Sequence, residues 1–247
     1  MGTRYALRMG FLSLAALVLT TFAPSASAGV VGHLVVGICA NGGVTVWPTT
    51  IDWAPPVGSG TSACLNVGAG TDVTSAGDGT LLAGFTGTAT INDLTLPPPS
   101  PGDAGFMTFT SSSPFVGLYF DLAPIGGLGP GVSPDCTPSP AIGYSCSIPG
   151  SPFILMTTAT GTAVTLLAHG TIYDSGDGST SDWSGQFSTQ IVGETPAQIE
   201  ATEEADGFVA SSFAGEFNIT PVPEPVSMAL VGGGLLALAA IKRRKRA

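Results

Sequence analysis

The sequence predicts an all-β fold, an antiparallel β-sandwich of about eight to ten strands with one short helix. Three observations predict it. Apolar and polar residues alternate with a period of two, most plainly at Val116, Leu118, Phe120, Leu122 and again at Phe213, Gly215, Phe217, Ile219. Clusters of Gly, Pro, Asn and Asp punctuate these runs at short intervals. A single stretch carries the signals of a helix start and stop. Residues 29–220 form the folded body, long enough to bury one core. Their Gly, Thr, Ser and Pro content is offset by Trp47, Trp53, Trp183 and many Phe, Ile, Leu and Val, which argues against disorder.

Taken in order, His33 to Cys39 is a short apolar strand, and Val44-Thr45-Val46-Trp47 follows a Gly-Gly turn with β-branched content. Thr49 to Asp52 continues that strand beyond Pro48 at a sheet margin. Between Gly84 and Leu96, Phe85, Gly87, Ala89 and Ile91 alternate with Thr86, Thr88, Thr90 and Asn92, an apolar face backed by a wet threonine ladder. The prolines at 97–99 and 101 end it. Phe106 to Thr110 and Phe115 to Leu122 are strands, and Gly126 to Pro152 is a long loop containing Cys136 and Cys146. Strands resume at Phe153 to Thr158, at Ala163 to Tyr173 and, after the turn Asp174 to Ser179, at Trp183 to Val192. Thr195-Pro196-Ala197-Gln198 has a capping residue, proline at the first helical position and Gln at the third, and Gly207 closes the segment, so a helix is expected over about 196–205. Ser212 to Thr220 is the last strand.

The two ends differ in kind from this body. Arg4 and Arg8 precede an apolar run, Phe11 to Ala23, and the small residues Ala26-Ser27-Ala28, which reads as a secretory signal peptide spanning 1–28. At the other end, Pro221-Val222-Pro223-Glu224-Pro225 leads into an apolar run from Val226 to Ile241 and then into Lys242-Arg243-Arg244-Lys245-Arg246. About 16 residues make a helix of roughly 24 Å, short of a hydrocarbon core of roughly 30 Å, but it spans if basic side chains snorkel and the bilayer adapts. Five cations after the run hold that end in the cytoplasm, which places everything before Val226 outside.

The charge is partitioned accordingly. All seven Lys and Arg residues lie in the two terminal segments, and all seventeen Asp and Glu lie between Asp52 and Glu224. The stretch between the basic ends carries about −17, with His33 and His169 as its only bases. Nucleic-acid binding through Lys or Arg is excluded there, and an anionic polymer is repelled unless cations bridge the two.

The order of triplet, apolar helix and Arg-containing basic end resembles the PEP-CTERM sorting signal, carried here by Pro223, Glu224, Pro225, the helix 226–241, Arg243 and Arg244. In that family of exopolysaccharide-producing Gram-negative bacteria the signal is read by an exosortase, a membrane-embedded transpeptidase resembling a cysteine protease. The resemblance implies an exosortase substrate, exported through the Sec translocon, held briefly as a membrane-anchored precursor and delivered to the cell surface or the extracellular matrix. An ordinary tail anchor with a proline-rich neck is the plain alternative.

Within the body the chemistry-bearing residues are few. Four cysteines in an exported chain point to disulfides, and the pairs Cys39–Cys64 and Cys136–Cys146 each bracket a turn-rich loop. A zinc site is the alternative, but the wide spacing of Cys136 and Cys146 does not suit it. Asp174, Asp177 and Asp182 with Gly176 and Gly178 have the oxygen-rich look of a calcium loop without the EF-hand spacing, and an Asp-Gly hairpin turn explains them as well. His33 and His169 have many serines nearby in sequence but no Gly-x-Ser-x-Gly element. No catalytic residue, metal or cofactor is therefore expected. The reading is a non-enzymatic surface or exopolysaccharide-matrix protein. Its rivals are a carbohydrate-binding module, calcium-assisted, that holds matrix polysaccharide with exposed Trp47, Trp53 or Trp183, and a secreted hydrolase.

Overall fold

The computed structural model describes residues 29–39, 43–53, 62–68, 71–74, 88–96, 103–109, 117–125, 128–222 and 232–234. The chain divides into two units. One is Gly29–Val222, and the other comprises Met1–Ala28 and Pro223–Ala247, of which only 232–234, a turn of helix, are described.

In the first unit the strands are β1 (Val31–Ile38), β2 (Val44–Trp47), β3 (Thr50–Asp52), β4 (Ser62–Val67), β5 (Asp72–Thr74), β6 (Thr88–Asn92), β7 (Leu94–Thr95), β8 (Asp103–Phe109), β9 (Leu118–Leu122), β10 (Val132–Ser133), β11 (Ser145–Cys146), β12 (Ile154–Thr158), β13 (Gly161–Asp174) and β14 (Thr180–Val192). Helix α1 (Pro196–Asp206) precedes β15 (Val209–Ser211) and β16 (Ala214–Pro221).

The all-β, antiparallel expectation holds, but the strands do not separate into the two stacked sheets of a sandwich. Eight of them close on themselves in the order β13, β14, β16, β1, β4, β6, β8, β9 and back to β13, each neighbour antiparallel. Closure leaves the ring no free edge. It is possible because β13 and β14 are 14 and 13 residues long. The first half of β13 pairs with β12 and its second half, Gly170 to Asp174, with β9. A second sheet, β15-β2-β3-β7, stands beside the ring.

The ring interior is filled, as an eight-stranded barrel allows. Leu34, Leu65, Ile91, Met107, Phe120, Trp183 and Phe217 are all nearly inaccessible. Trp183 lies 5.2 Å from Phe217 and 6.1 Å from Phe120 between ring centroids, and its indole N–H donates to the carbonyl of Asp121 at 3.1 Å. Three glycines make room for these rings. Gly170 faces Trp183, Gly185 faces Phe217 and Gly215 faces Phe187 across neighbouring strands. A methyl group on Gly170 would strike the Asp121 carbonyl, and one on Gly185 the Glu216 carbonyl and the Phe217 ring. Each aromatic ring thus covers the bare backbone of its partner while the sheet curls.

Several local expectations change. Thr50–Asp52 does not extend β2; Pro48 and Thr49 form a turn and β3 runs back antiparallel to β2. The threonine-rich strand stops at Asn92, because Asp93 turns its carboxylate to the Trp53 N–H at 3.0 Å, and Leu94–Thr95 joins β3 in the second sheet. In β6 the Thr90 hydroxyl lies 2.6 Å from that of Thr108 on β8, while residues 84–87 of the expected strand, Thr86 among them, lie outside the described residues. Strand β4 was not anticipated, yet its Leu65 and Val67 face the core at a spacing of two.

Helix α1 forms where its boundary signals lie. The Gln198 side chain accepts from the Thr195 N–H at 2.9 Å, and Gly207 adopts φ +79°, donating its N–H to Glu203 O at 2.8 Å. Its buried Ile199 packs with Leu155 and the Cys136 and Cys146 pair into a second, smaller core. Polar contacts fix the docking: Thr137 donates to Glu200 Oε2 at 2.7 Å, and Ala197 N–H donates to Ser139 Oγ at 3.0 Å.

Candidate functional site

The sorting residues Pro223, Glu224, Pro225, Arg243 and Arg244 lie outside the described residues, as do segment 1–28 and, apart from 232–234, the expected span 226–241. Among the described residues no helix is long and apolar enough to cross a membrane. The chain leads toward this tail through β16, whose last residue Pro221 and the following Val222 are exposed.

On β14 and β16 the barrel wall is polar outside and apolar inside. On β14 the outward residues are Asp182, Ser184 and Gln186, and on β16 they are Glu216, Asn218 and Thr220, while Trp183, Phe187, Phe217 and Ile219 point in. Lipid-facing barrels have the opposite polarity. These two strands present their polar face outward, whereas Leu167 on β13 and Tyr119 on β9 are exposed.

All four cysteines are paired as Cys39–Cys64 and Cys136–Cys146, with Cα separations of 5.6 and 5.2 Å. The first ties the end of β1 to its neighbour β4, and the second closes the loop that leads from β10 into β11. Such pairs belong to an oxidising compartment.

The acidic turn is a turn. Asp174 Oδ1 accepts from Gly176 N–H and Asp177 Oδ1 from Ser179 N–H, both at 2.8 Å, while Gly178 takes φ +75°. Asp182 sits on β14 opposite Thr171. Among the described residues, no three His, Cys, Asp or Glu side chains are grouped to hold a metal ion.

The two histidines are far apart in their roles. His33 on β1 lies 2.9 Å from Glu216 Oε1 on β16, a surface contact. His169 is exposed on the outer face of β13, opposite Ser184 of β14. The tryptophans are not the exposed platforms expected of a sugar-binding site. Trp53 and Trp183 are each only 2% accessible, and Trp47 is half-buried against Phe208 with centroids 5.9 Å apart.

The exposed aromatic pair is instead Tyr119 and Tyr173, directly opposite on β9 and β13, 44% accessible each, with centroids 6.5 Å apart. The alternation of both strands marks each tyrosine as outward-facing. Their adjacency required the pairing that closes the ring. Thr171 and His169 continue the same face of β13, and Asp121 lies opposite Thr171 on β9.

Three carboxyls are held above their ordinary range. Burial raises Asp103, helped by the nearby charge of Asp121. Burial also raises Asp93, against the lowering effect of the Trp53 N–H and with Asp52 adding repulsion. Glu203 is raised by burial and by Glu200 and Glu204 beside it on α1. With no Lys or Arg between the terminal segments, none of these charges has a strong base to neutralise it among the described residues. Comparisons with protein-family models, curated proteins and solved structures return no match.

Proposed function

We propose that this chain is an exported, non-enzymatic structural component of the cell surface or exopolysaccharide matrix, sorted through its C-terminal signal and processed by an exosortase. The observation that carries this reading is the separation of charge. An entirely acidic, disulfide-linked barrel stands between two basic, apolar ends. Lys and Arg are retained only where they orient membrane segments, and the barrel wall carries none. Export proceeds through the Sec translocon, the 226–241 helix arrests transfer, and Pro223-Glu224-Pro225 presents the processing enzyme with an extended neck.

Replacement of Glu224 by Ala tests this. Export and disulfide formation should be unchanged, while the unprocessed precursor accumulates in the membrane. Removal of the mutant tail at the normal rate would refute the exosortase assignment. The intact mass of the surface-released protein would fix both termini.

One observation favours a second reading, binding of matrix polysaccharide. The Tyr119–Tyr173 pair exposes two aromatic side chains near Thr171 and Asp121, residue types against which neutral sugar rings pack. Depletion of the protein from solution by insoluble neutral glucans, lost in Tyr119→Ala and Tyr173→Ala and unaffected by chelator, would establish it; absence of any glycan retention leaves the passive matrix role.

A further inference from the structure

The barrel takes in its chain from the first residue of the unit. Gly29, which follows Ala26-Ser27-Ala28, is buried, and Val30 is only 1% accessible and belongs to the main core. Gly29 lies flush against the start of β14, where a methyl group on it would strike the Ser181 hydroxyl and the Thr180 carbonyl. Ser181 is itself inaccessible. From Val31 onward β1 is held by its neighbours: Val31 pairs with Thr74 of β5, and Gly32 pairs with Val73 of β5 and with Ile219 of β16. The neighbouring end of β16 is open by contrast, since Pro221 and Val222 are exposed.

This burial bears on the removal of segment 1–28. Cleavage after Ala28 adds water across the Ala28–Gly29 amide and leaves a carboxylate on Ala28 and an amine on Gly29. A peptidase needs the chain on both sides of that bond in its cleft, and a folded segment is cut only from a locally opened state. The residues just after the bond are the ones the barrel covers. The strands that cover them arrive late, however. His33 and Glu216, in contact across the β1–β16 pair, are 183 residues apart. For export paced by synthesis, at about 5 to 20 residues per second, the start of β1 stays uncovered by β16 for roughly 10 to 40 s.

We propose that the fold imposes an order on processing: a signal peptidase hydrolyses the Ala28–Gly29 bond before β14 and β16 close over residues 29–31, and a chain that folds first resists that peptidase. The inference rests on the export reading and extends it at the N-terminal end.

The test uses the full chain with both disulfides formed, unfolded in urea and diluted into detergent micelles. A purified bacterial signal peptidase is either present at dilution or added after near-UV circular dichroism shows folding to be complete, and intact mass reads the cut. Peptidase present at dilution should yield a chain that begins at Gly29, and peptidase added afterwards should cut at least about tenfold more slowly. A short Gly-Ser linker inserted between Ala28 and Gly29 moves the scissile bond away from the buried residues, so the two orders of addition should then give equal rates. Equal rates in the unmodified chain would overturn the proposal and leave the export reading standing, as would continued resistance of the folded linker variant. No cut at Ala28–Gly29 in either order would overturn the signal-peptide reading and the proposal with it.

Discussion

Substituting Gly170 by Ala tests how the barrel closes. Gly170 lies on β13 between Leu122 of β9 and Trp183 of β14, at the seam where the ring shuts. A methyl group there meets the Asp121 carbonyl oxygen and comes within 2.9 Å of the Trp183 indole nitrogen. Those two atoms are the partners of a hydrogen bond inside the barrel. Overpacking of a close-packed core costs about 1 to 3 kcal/mol, and loss of that bond adds about 1 kcal/mol. The sum, about 2 to 4 kcal/mol, corresponds to a fall in Tm of roughly 4 to 16 °C for a body of this length. Gly37→Ala is the matched control. It lies on β1, and a methyl group there meets no atom within 4 Å. Its effect should be neutral or stabilising by less than about 1 kcal/mol. Near-UV circular dichroism melts of both variants, with urea titrations, read the difference. If Gly170→Ala melts together with Gly37→Ala, the ring does not close through this seam and the glycine–aromatic account is wrong.

Three further outcomes follow from the same structure. Replacing Cys136 and Cys146 by Ser opens a loop with a sequence separation of 10, which costs about 3 kcal/mol in the chain-entropy model; an unchanged urea midpoint would show that the helix docking alone holds the loop. Asp93, Asp103 and Glu203 bind protons more readily in the folded than in the unfolded state, so their contribution is full below the ordinary carboxylate range and is lost as pH rises through their elevated values. Thermal stability should therefore rise on mild acidification from neutral pH, and Asp103→Asn should raise Tm at pH 7 and flatten that rise; a variant less stable than the parent at pH 7 would contradict the sign. Because Asp174 and Asp177 are engaged by turn N–H groups, excess EDTA should leave the melt unchanged, and a calcium-dependent increase in Tm would show that the turn rearranges around a cation.

Much of the secondary structure was legible because it is local. The β9, β13 and β16 alternations identify Phe120, Ile172 and Phe217 as inward residues, and all three are buried. Helix α1 is encoded by Thr195, Pro196, Gln198 and Gly207, whose effects act within a few bonds of the backbone they cap. Where the reading failed, the deciding contact was distant in sequence. Asp93 breaks its strand for Trp53, 40 residues earlier. The short β10 and β11, which pair in parallel through Val132 with Ser145 and Ser133 with Cys146, exist only because β12 offers β11 an edge. Trp53 and Trp183 were candidates for exposure because residue type alone does not reveal which side of a wall a ring occupies; the Phe120 and Phe217 rings around Trp183 answer that only after folding.

Sequence by itself determined the all-β character, the helix that follows Thr195 and the isolation of every Lys and Arg at the two ends, since each follows from periodicity, neighbouring residues or composition; among three possible connectivities it favoured the cysteine pairs that the structure shows. The tertiary structure alone decided between sandwich and barrel and joined Tyr119 to Tyr173. Period-two alternation gives every strand one apolar face but does not name its neighbour. Pairing, and with it the closed ring, depends on register and twist summed over residues far apart in the chain.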